Sequence, residues 1–248
     1  MQVAIDIGNT FLKAACFEGN RLLRHISLRA DAALECTLAT WLAKLSVTRV
    51  GLCSVVPDLT HRICSILTAH ESVSILHIDH TLKLPFTIRY KPQRRLGADR
   101  IAAATGARLL YSSQNVVVID AGTAVTIDTL RADGVFLGGS IAPGPELLRA
   151  ALTSGTASLP TVQLELPDGE LGTSTVEAIQ HGLMYGMLDH INGALSRMRL
   201  VLADDFVVVL TGGWHKLVAT HVPDIDHVDQ HLVLRGICGL MVLNPPAA

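Results

Sequence analysis

The sequence predicts an α/β fold in which mixed β-sheets are flanked by helices, and two observations carry that prediction. In the first half of the chain, short apolar runs rich in strand formers alternate with amphipathic helical segments, which is typical of parallel β-α-β units. Two further apolar runs, Val3–Ile5 and Val116–Ile119, each end in an Asp-x-Gly turn and open a hairpin. Because hairpin strands are antiparallel, hairpins combined with β-α-β units indicate mixed sheets.

Composition limits the classes of protein that this chain can belong to. The 248 residues suffice for one large domain or two of about 120 residues, and a hydrophobic content of 49% indicates a compact globular chain. A net charge of −2 and the lack of a long basic run give no support for nucleic-acid binding. No signal-peptide pattern and no apolar stretch of about 18 residues occur, so we expect no membrane association and a cytoplasmic location.

The first half after the opening hairpin contains two helix–strand pairs. Apolar residues at helical spacing alternate with strand-forming runs, and Pro57 ends the first of these runs. The predicted elements are a helix over 34–45, a strand over 49–56, a helix over 59–67 and a strand over 73–78.

The second half opens with a hairpin and continues with helices. Strands are predicted over 116–119, around 126–130 and over 135–137, the last followed by a glycine pair at 138–139. Ser174 and Glu177 form a capping-box pattern at the start of a long helix that extends to about Arg199. The remaining predictions are a helix from Pro145, a strand over 206–210 that leads into Thr211-Gly212-Gly213 and a helix, and a final helix over 232–243.

The two Asp-x-Gly turns carry the clearest chemistry. Asp120 and Thr123 lie at the reversal after one buried strand, and Gly122 would let a phosphate approach the backbone closely. The stretch from Asp6 to Thr10 repeats this design at the start of the chain. A single Asp-x-Gly is common in surface turns, whereas two copies that each close a buried strand favour a phosphate site. Their carboxylates could also bind Mg²⁺ directly or through the water molecules around it.

A third loop, from Tyr90 to Arg100, leads into a helix that begins near Ile101. Asp99 and Arg100 fall in its first turn, where the helix dipole favours a carboxylate but not a guanidinium. The position of Arg100 therefore suggests a ligand or a partner carboxylate, although an ordinary exposed helix start is an alternative. Asp99 could accept the proton of an attacking hydroxyl, and Arg100 could pair with a substrate carboxylate.

Taken together, these motifs resemble the type III pantothenate kinases, within the superfamily of acetate and sugar kinases, Hsp70 and actin. The resemblance covers essentially the whole chain. It implies two duplicated ribonuclease H-like (actin-like ATPase) domains, residues 1–114 and 115–248, with ATP in the cleft between them. The motifs are Asp6 to Thr10 with Lys13, Gly97 to Arg100 preceded by Tyr90 and Pro92, Asp120 to Ala124 with Thr126 and Asp128, Gly138 to Gly144, and Thr211 to Gly213.

The resemblance also implies a role for each matching residue. Asp99 would be the general base, Asp120 would bind a monovalent cation (K⁺ or NH₄⁺), and Asp6 would bind the Mg²⁺ of ATP directly or through water. ATP would contact Asp6, Ile7, Gly8, Asn9, Thr10, Phe11, Leu12, Lys13 and Thr123. Pantothenate would contact Tyr90, Gly97, Ala98, Asp99, Arg100 and Thr175. Phe11 replaces a residue that is polar in many family members.

The implied activity is ATP-dependent phosphorylation of pantothenate to 4′-phosphopantothenate, the first step of coenzyme A biosynthesis. The resemblance also implies a homodimer in which Thr175 reaches the pantothenate site of the other subunit. Two alternatives stay open: another small-molecule kinase or phosphatase of the superfamily, and a non-catalytic regulatory accessory factor. The P-loop pattern is absent. Two histidine pairs, His77 with His80 and His227 with His231, lack an evident third ligand and are interpreted as surface or cap residues rather than a zinc site.

Overall fold

The computed structural model describes residues 1–19, 21–68, 73–203 and 205–246. They form two compact units. Unit 1 contains residues 1–113, residues 132–137 and the chain from His231 onwards, and unit 2 contains residues 114–131 and 138–230. The expected division into two duplicated domains near residue 114 stays a prediction. The two units are defined by packing, which does not show that one half arose by duplication of the other.

Each half of the chain opens with three consecutive strands and continues with helices and further strands. The elements before residue 115 are β1 (Gln2–Ile7), β2 (Phe11–Glu18), β3 (Arg21–Arg29), α1 (Leu34–Leu42), β4 (Arg49–Ser54), α2 (Pro57–Thr68), β5 (Ser74–His77), β6 (Thr87–Ile88), a short 3₁₀ helix (Gln93–Arg95) and α3 (Ala98–Leu110). Those after it are β7 (Val116–Ala121), β8 (Ala124–Leu130), β9 (Val135–Pro143), α4 (Pro145–Gly155), α5 (Thr175–Leu202), β10 (Val207–Thr211), α6 (His215–His221), β11 (His227–Val228) and α7 (Leu232–Leu243).

The sheet of unit 1 has the strand order β3-β2-β1-β4-β5. Strand β2 is antiparallel to both β1 and β3, whereas β1, β4 and β5 are mutually parallel, with α2 as the crossover between β4 and β5. One face of this sheet packs against α1 and α2, and the buried side chains of that core include Ile5, Leu12, Leu38, Leu52 and Ile63. The mixed sheet flanked by helices confirms the predicted class.

The second sheet repeats this topology. Its order is β6-β9-β8-β7-β10-β11, and the last five of these strands match β3-β2-β1-β4-β5 strand for strand. As in unit 1, the central strand β7 is antiparallel to its hairpin partner β8 and parallel to β10, and β10 is parallel to β11. The first residues of β9, which belong to unit 1, pair in parallel with β6. The repeated order confirms the duplicated fold class.

Strand β9 is longer than the sequence indicated, because it continues through the glycine pair to Pro143. A Cβ atom placed on Gly139 would lie 1.7 Å from the carbonyl oxygen of Ile127 in β8. Only glycine permits such a close approach of two backbones, so the glycine pair here extends the strand instead of ending it.

Helix α7 packs on α3 and on the face of the first sheet opposite α1 and α2. The two helices cross closely: a Cβ on Gly236 would lie 1.7 Å from the carbonyl oxygen of Ala102, and one on Gly106 would lie 2.5 Å from that of Leu232. Glycines at the crossing therefore hold α3 in place. Within the described residues, no helix has the length and apolar character needed to cross a membrane.

The C-terminal end of α7 is fixed by a buried arginine. Arg49 is 8% exposed and donates one hydrogen bond of 2.7 Å to the carbonyl oxygen of Met241 and another to that of Asn244. Burial lowers the pKa of this guanidinium from its usual value. The bonds satisfy carbonyl groups that a helix end leaves without intrahelical partners.

Candidate functional site

The first Asp-x-Gly turn joins β1 to β2 in unit 1. The backbone N–H of Gly8 donates a 3.0 Å hydrogen bond to the carbonyl oxygen of Phe11, which closes a tight turn. Asp6 lies directly opposite Lys13 across the hairpin, and directly opposite side chains lie on the same face of a sheet. Both residues are half-buried, whereas Asn9 and Phe11 are exposed. The turn thus combines a carboxylate, an ammonium group and exposed backbone.

The first turn of α3, also in unit 1, orients Asp99. Oδ1 of Asp99 accepts a 2.8 Å hydrogen bond from the backbone N–H of Arg100. Gly97 precedes the helix, and a Cβ placed on it would lie 2.4 Å from the same oxygen. The missing side chain at Gly97 therefore provides the space for the carboxylate, which lies at the end of the helix where the dipole favours negative charge.

Arg100 is 4% exposed, and its guanidinium lies near two aromatic rings. The Cζ atom is 5.3 Å from the ring centroid of Tyr90 and 5.9 Å from that of Phe136. The sequence suggested a ligand or carboxylate for this arginine, and the structure adds two rings with which a cation interacts favourably. Phe136 was not among the predicted site residues, because nothing in its local sequence indicates that it lies beside α3.

The second Asp-x-Gly turn joins β7 to β8 in unit 2. The N–H of Gly122 donates a 3.0 Å hydrogen bond to the carbonyl oxygen of Ala124. The N–H of Gly144, at the end of β9, donates one of 2.9 Å to the carbonyl oxygen of Thr123, and a Cβ on Gly144 would lie 2.4 Å from that of Gly122. Gly144, the last residue of the Gly138-to-Gly144 motif, therefore packs directly on this turn.

The Thr211-Gly212-Gly213 stretch contacts the same turn from the other side. Strand β10 pairs with β7 so that Thr211 lies beside Asp120. Gly212 has a φ of +96°, and a Cβ there would lie 2.5 Å from Asp120 Oδ1 and 2.5 Å from the carbonyl oxygen of Ala121. Three separated segments thus meet around Asp120. The sequence indicated each of these three motifs separately, but it did not show that they lie together in the fold.

Thr175, the last predicted substrate contact, is exposed at the first position of α5. The hydroxyl of Ser174 accepts the N–H of Glu177 at 3.3 Å, as the capping pattern predicted. The Glu177 carboxylate instead accepts both the hydroxyl and the N–H of Thr173, each at 2.7 Å, and these bonds lower the pKa of Glu177. The helix continues to Leu202, slightly beyond the predicted end.

One face of α5 has few neighbours in the described part of the chain. Gly182 and Gly186 lie one turn apart, are exposed, and would have no atom within 4 Å of an added Cβ. On the same helix, the Nε2 atoms of His181 and His190 are buried without a hydrogen-bond partner in the structure. Burial also lowers the pKa of His190, with a smaller contribution from Arg197.

The predicted residues divide between the two units. Unit 1 contains Asp6 to Lys13, Tyr90 and Gly97 to Arg100, and unit 2 contains Asp120, Thr123 and Thr175. Among the described side chains, no group of three or more His, Cys, Asp or Glu is placed to hold a metal ion.

Comparisons with known proteins give one consistent result. A family model described as type III pantothenate kinase matches residues 2–197. A curated relative of that name from Chlorobaculum parvum is 34% identical, with 98% of this chain and 95% of the relative covered. The relative from Moorella thermoacetica is also 34% identical, with 96% and 97% covered.

Solved structures support the fold. One described as a conserved Baf family transcriptional activator from Campylobacter jejuni has a TM-score of 0.62 at 22% identity, with 97% of both chains covered. An inorganic polyphosphate/ATP-glucomannokinase from Arthrobacter sp. strain KM has a TM-score of 0.53 at 16% identity, with 98% of both chains covered. At these identities the likeness shows the fold alone.

Proposed function

The chain belongs to the type III pantothenate kinase family, and we propose that it catalyses the reaction of that family: transfer of the γ-phosphoryl group of ATP to the 4′-hydroxyl of pantothenate, the first step of coenzyme A biosynthesis. The observation that carries the proposal is this family match along nearly the whole chain. The oriented carboxylate of Asp99 at the start of α3 supports it, since the reaction needs a base beside the acceptor hydroxyl.

We propose that the two Asp-x-Gly turns bind ATP. The contacting residues would be Asp6, Ile7, Gly8, Asn9, Thr10, Phe11, Leu12 and Lys13 in unit 1, and Thr123 in unit 2. Phosphoryl transfer requires mainly positioning and charge stabilisation of the transferred group, which backbone N–H groups and an ammonium can supply. Lys13 opposite Asp6 fits this requirement, because the pair presents both a cation and a carboxylate at the turn.

Two cations belong to the proposed mechanism. Mg²⁺ would accompany ATP, held by Asp6 directly or through water, and it would neutralise charge on the phosphates. A monovalent cation, K⁺ or NH₄⁺, would lie at Asp120. This turn suits a cation because the Asp120 carboxylate and the Ala121 carbonyl oxygen both lie beside Gly212, so two oxygen atoms of the kind that bind hard cations converge there.

Pantothenate would bind through Tyr90, Gly97, Ala98, Asp99 and Arg100. In this arrangement the Asp99 carboxylate accepts the proton of the 4′-hydroxyl as that oxygen attacks the γ-phosphorus. The hydrogen bond from the N–H of Arg100 to Oδ1 fixes the carboxylate in one orientation before substrate arrives. A base held in place avoids reorganisation at the moment of transfer.

We further propose a homodimer in which Thr175 completes the pantothenate site of the other subunit. The open face of α5 supports this, because Gly182 and Gly186 permit close approach of another helix and a Cβ added at either would meet nothing within 4 Å.

The decisive experiment is ATP turnover by the purified protein with and without pantothenate. We expect ADP formation to depend on pantothenate and 4′-phosphopantothenate to appear by mass spectrometry. A panel of sugars and polyphosphate serves as the control for other kinases and phosphatases with this fold. Turnover with a sugar but not with pantothenate, or no turnover with any acceptor, would contradict the proposed function.

A further inference from the structure

The Phe136 side chain lies beside the Arg100 guanidinium. Phe136 is fully buried, its ring centroid lies 5.9 Å from Arg100 Cζ, and the ring of Tyr90 lies on Arg100 at 5.3 Å. A second ring, Phe86, stacks on Phe136 with centroids 5.9 Å apart and an interplanar angle of 29°. All four residues belong to unit 1, although Phe136 comes from the short segment 132–137.

The backbone of this segment also holds the strand that leads to Tyr90. Phe136 pairs with Ile88 in the parallel β6–β9 ladder, and its carbonyl oxygen accepts a 3.0 Å hydrogen bond from the N–H of Arg89. The carbonyl oxygen of Gly134 accepts the N–H of Thr87 at 2.8 Å. The backbone of segment 132–137 therefore holds residues 87–89, which lead to Tyr90. The Phe136 side chain of the same segment contacts Arg100.

We infer that Phe136 is a positioning residue that holds Arg100 in the orientation needed to bind the carboxylate of pantothenate. This inference rests on the proposed function. The face of an aromatic ring attracts a cation, and the attraction is strongest where water is excluded, as it is around this arginine. Contact with two rings would restrict the directions in which the planar guanidinium can point, and a planar fork held in one direction suits a carboxylate.

The test is a double-mutant cycle on substrate kinetics. The single variants Phe136→Leu and Arg100→Gln and the double variant are compared with the wild type, using pantothenate and its neutral amide as substrates. We expect Phe136→Leu to raise KM for pantothenate between about threefold and thirtyfold, which is the range of cation–π contributions. The KM for the amide should change less than twofold, because the amide has no carboxylate for Arg100 to bind. Once Arg100 is replaced, Phe136→Leu should have little further effect on KM.

Phe17→Leu is the matched control, since Phe17 is another buried phenylalanine of unit 1 in the sheet core. Its KM values should stay near those of the wild type even if its melting temperature falls. If Phe136→Leu does not fold, Phe136→Met takes its place in the cycle. Equal effects of the Phe136 substitution on both substrates, or additive effects with Arg100→Gln, would overturn this inference alone. Absence of wild-type turnover with pantothenate would overturn both the inference and the proposed function.

Discussion

At the scale of single residues, two glycines stand where a side chain would collide with an aspartate oxygen. A Cβ on Gly97 would lie 2.4 Å from Oδ1 of Asp99, and one on Gly212 would lie 2.5 Å from Oδ1 of Asp120. Each glycine therefore gives space to a carboxylate that the proposed reaction uses. Substituting the aspartates tests their roles without altering the packing around these glycines.

Asp99→Asn should fold normally and lose most of its kcat, by roughly 10²–10⁴-fold, because an amide cannot accept the proton of the attacking hydroxyl. The measurement is pantothenate-dependent ATP turnover together with thermal unfolding. Asp58→Asn is the control, since Asp58 occupies the first turn of α2 and is exposed. Activity of Asp99→Asn within a fewfold of the wild type would remove Asp99 from the role of general base.

Asp120 should make turnover depend on the monovalent cation. If the Asp120 turn binds K⁺ or NH₄⁺, the rate should rise sharply when either ion replaces Na⁺ at constant ionic strength. Asp120→Asn should lower the rate and remove the difference between salts, because the ligand charge is lost, whereas Asp58→Asn should keep the difference. Equal wild-type rates in all three salts would argue against the site.

At the scale of elements, the position of the proposed base depends on how α7 packs on α3. Asp99 lies in the first turn of α3, and the Gly106–Gly236 crossing holds that helix against α7. Arg49 in turn fixes the far end of α7 through the carbonyl oxygens of Met241 and Asn244. The C-terminal helix is therefore part of the support of the site in unit 1.

Gly236→Ala tests this support. The added Cβ would overlap the Ala102 carbonyl oxygen, so the helices must separate, and overpacking of this kind costs about 1–3 kcal/mol. For a chain of this size, each kcal/mol lowers the melting temperature by roughly 2–4 °C. Calorimetry provides the measurement, and Gly155→Ala is the control because nothing lies within 4 Å of its added Cβ. Equal melting temperatures for the two variants would show that the crossing tolerates a methyl group.

At the scale of the whole molecule, the proposed homodimer depends on the face of α5 that carries Gly182 and Gly186. Within one chain, a Cβ added at Gly182 or Gly186 would meet nothing within 4 Å, so we expect a larger side chain to be tolerated there. Between two closely packed helices the same side chain would collide. The oligomeric state therefore distinguishes a free surface from a dimer interface.

Gly182→Leu and Gly186→Leu should each convert a dimer into monomers, as measured by analytical ultracentrifugation. Ala150→Leu, at an exposed position of α4, is the control and should leave the dimer intact. A wild-type protein that sediments as a fully active monomer would contradict the dimer. So would a glycine variant that stays dimeric.

Complementation tests whether Thr175 acts across the dimer. Asp99→Asn and Thr175→Arg, each inactive alone, are co-expressed with different affinity tags, and the heterodimer is purified through both. One of its two sites would contain both defects and the other neither, so about half of the wild-type activity should return if two-fold symmetry relates the sites. No recovery in a verified heterodimer would end the shared-site proposal.

The sequence alone determined the features that depend on neighbouring residues along the chain. The hairpins after Val3–Ile5 and Val116–Ile119, the helix–strand alternation of the first half, and the Ser174 cap all follow from local periodicity and turn chemistry. The family resemblance then assigned roles to Asp6, Asp99 and Asp120, which stay predictions.

Only the tertiary structure decided which distant segments meet. The apolar pattern of α7 indicated burial but not that it packs on α3, more than a hundred residues earlier. Likewise, nothing local to Phe136 indicates its contact with Arg100. The glycine pair at 138–139 is typical of a strand end, and only the close approach of Gly139 to Ile127 shows that the strand continues. Periodicity shows that a side chain is buried, but the identity of its partner depends on long-range packing, which no short window of sequence contains.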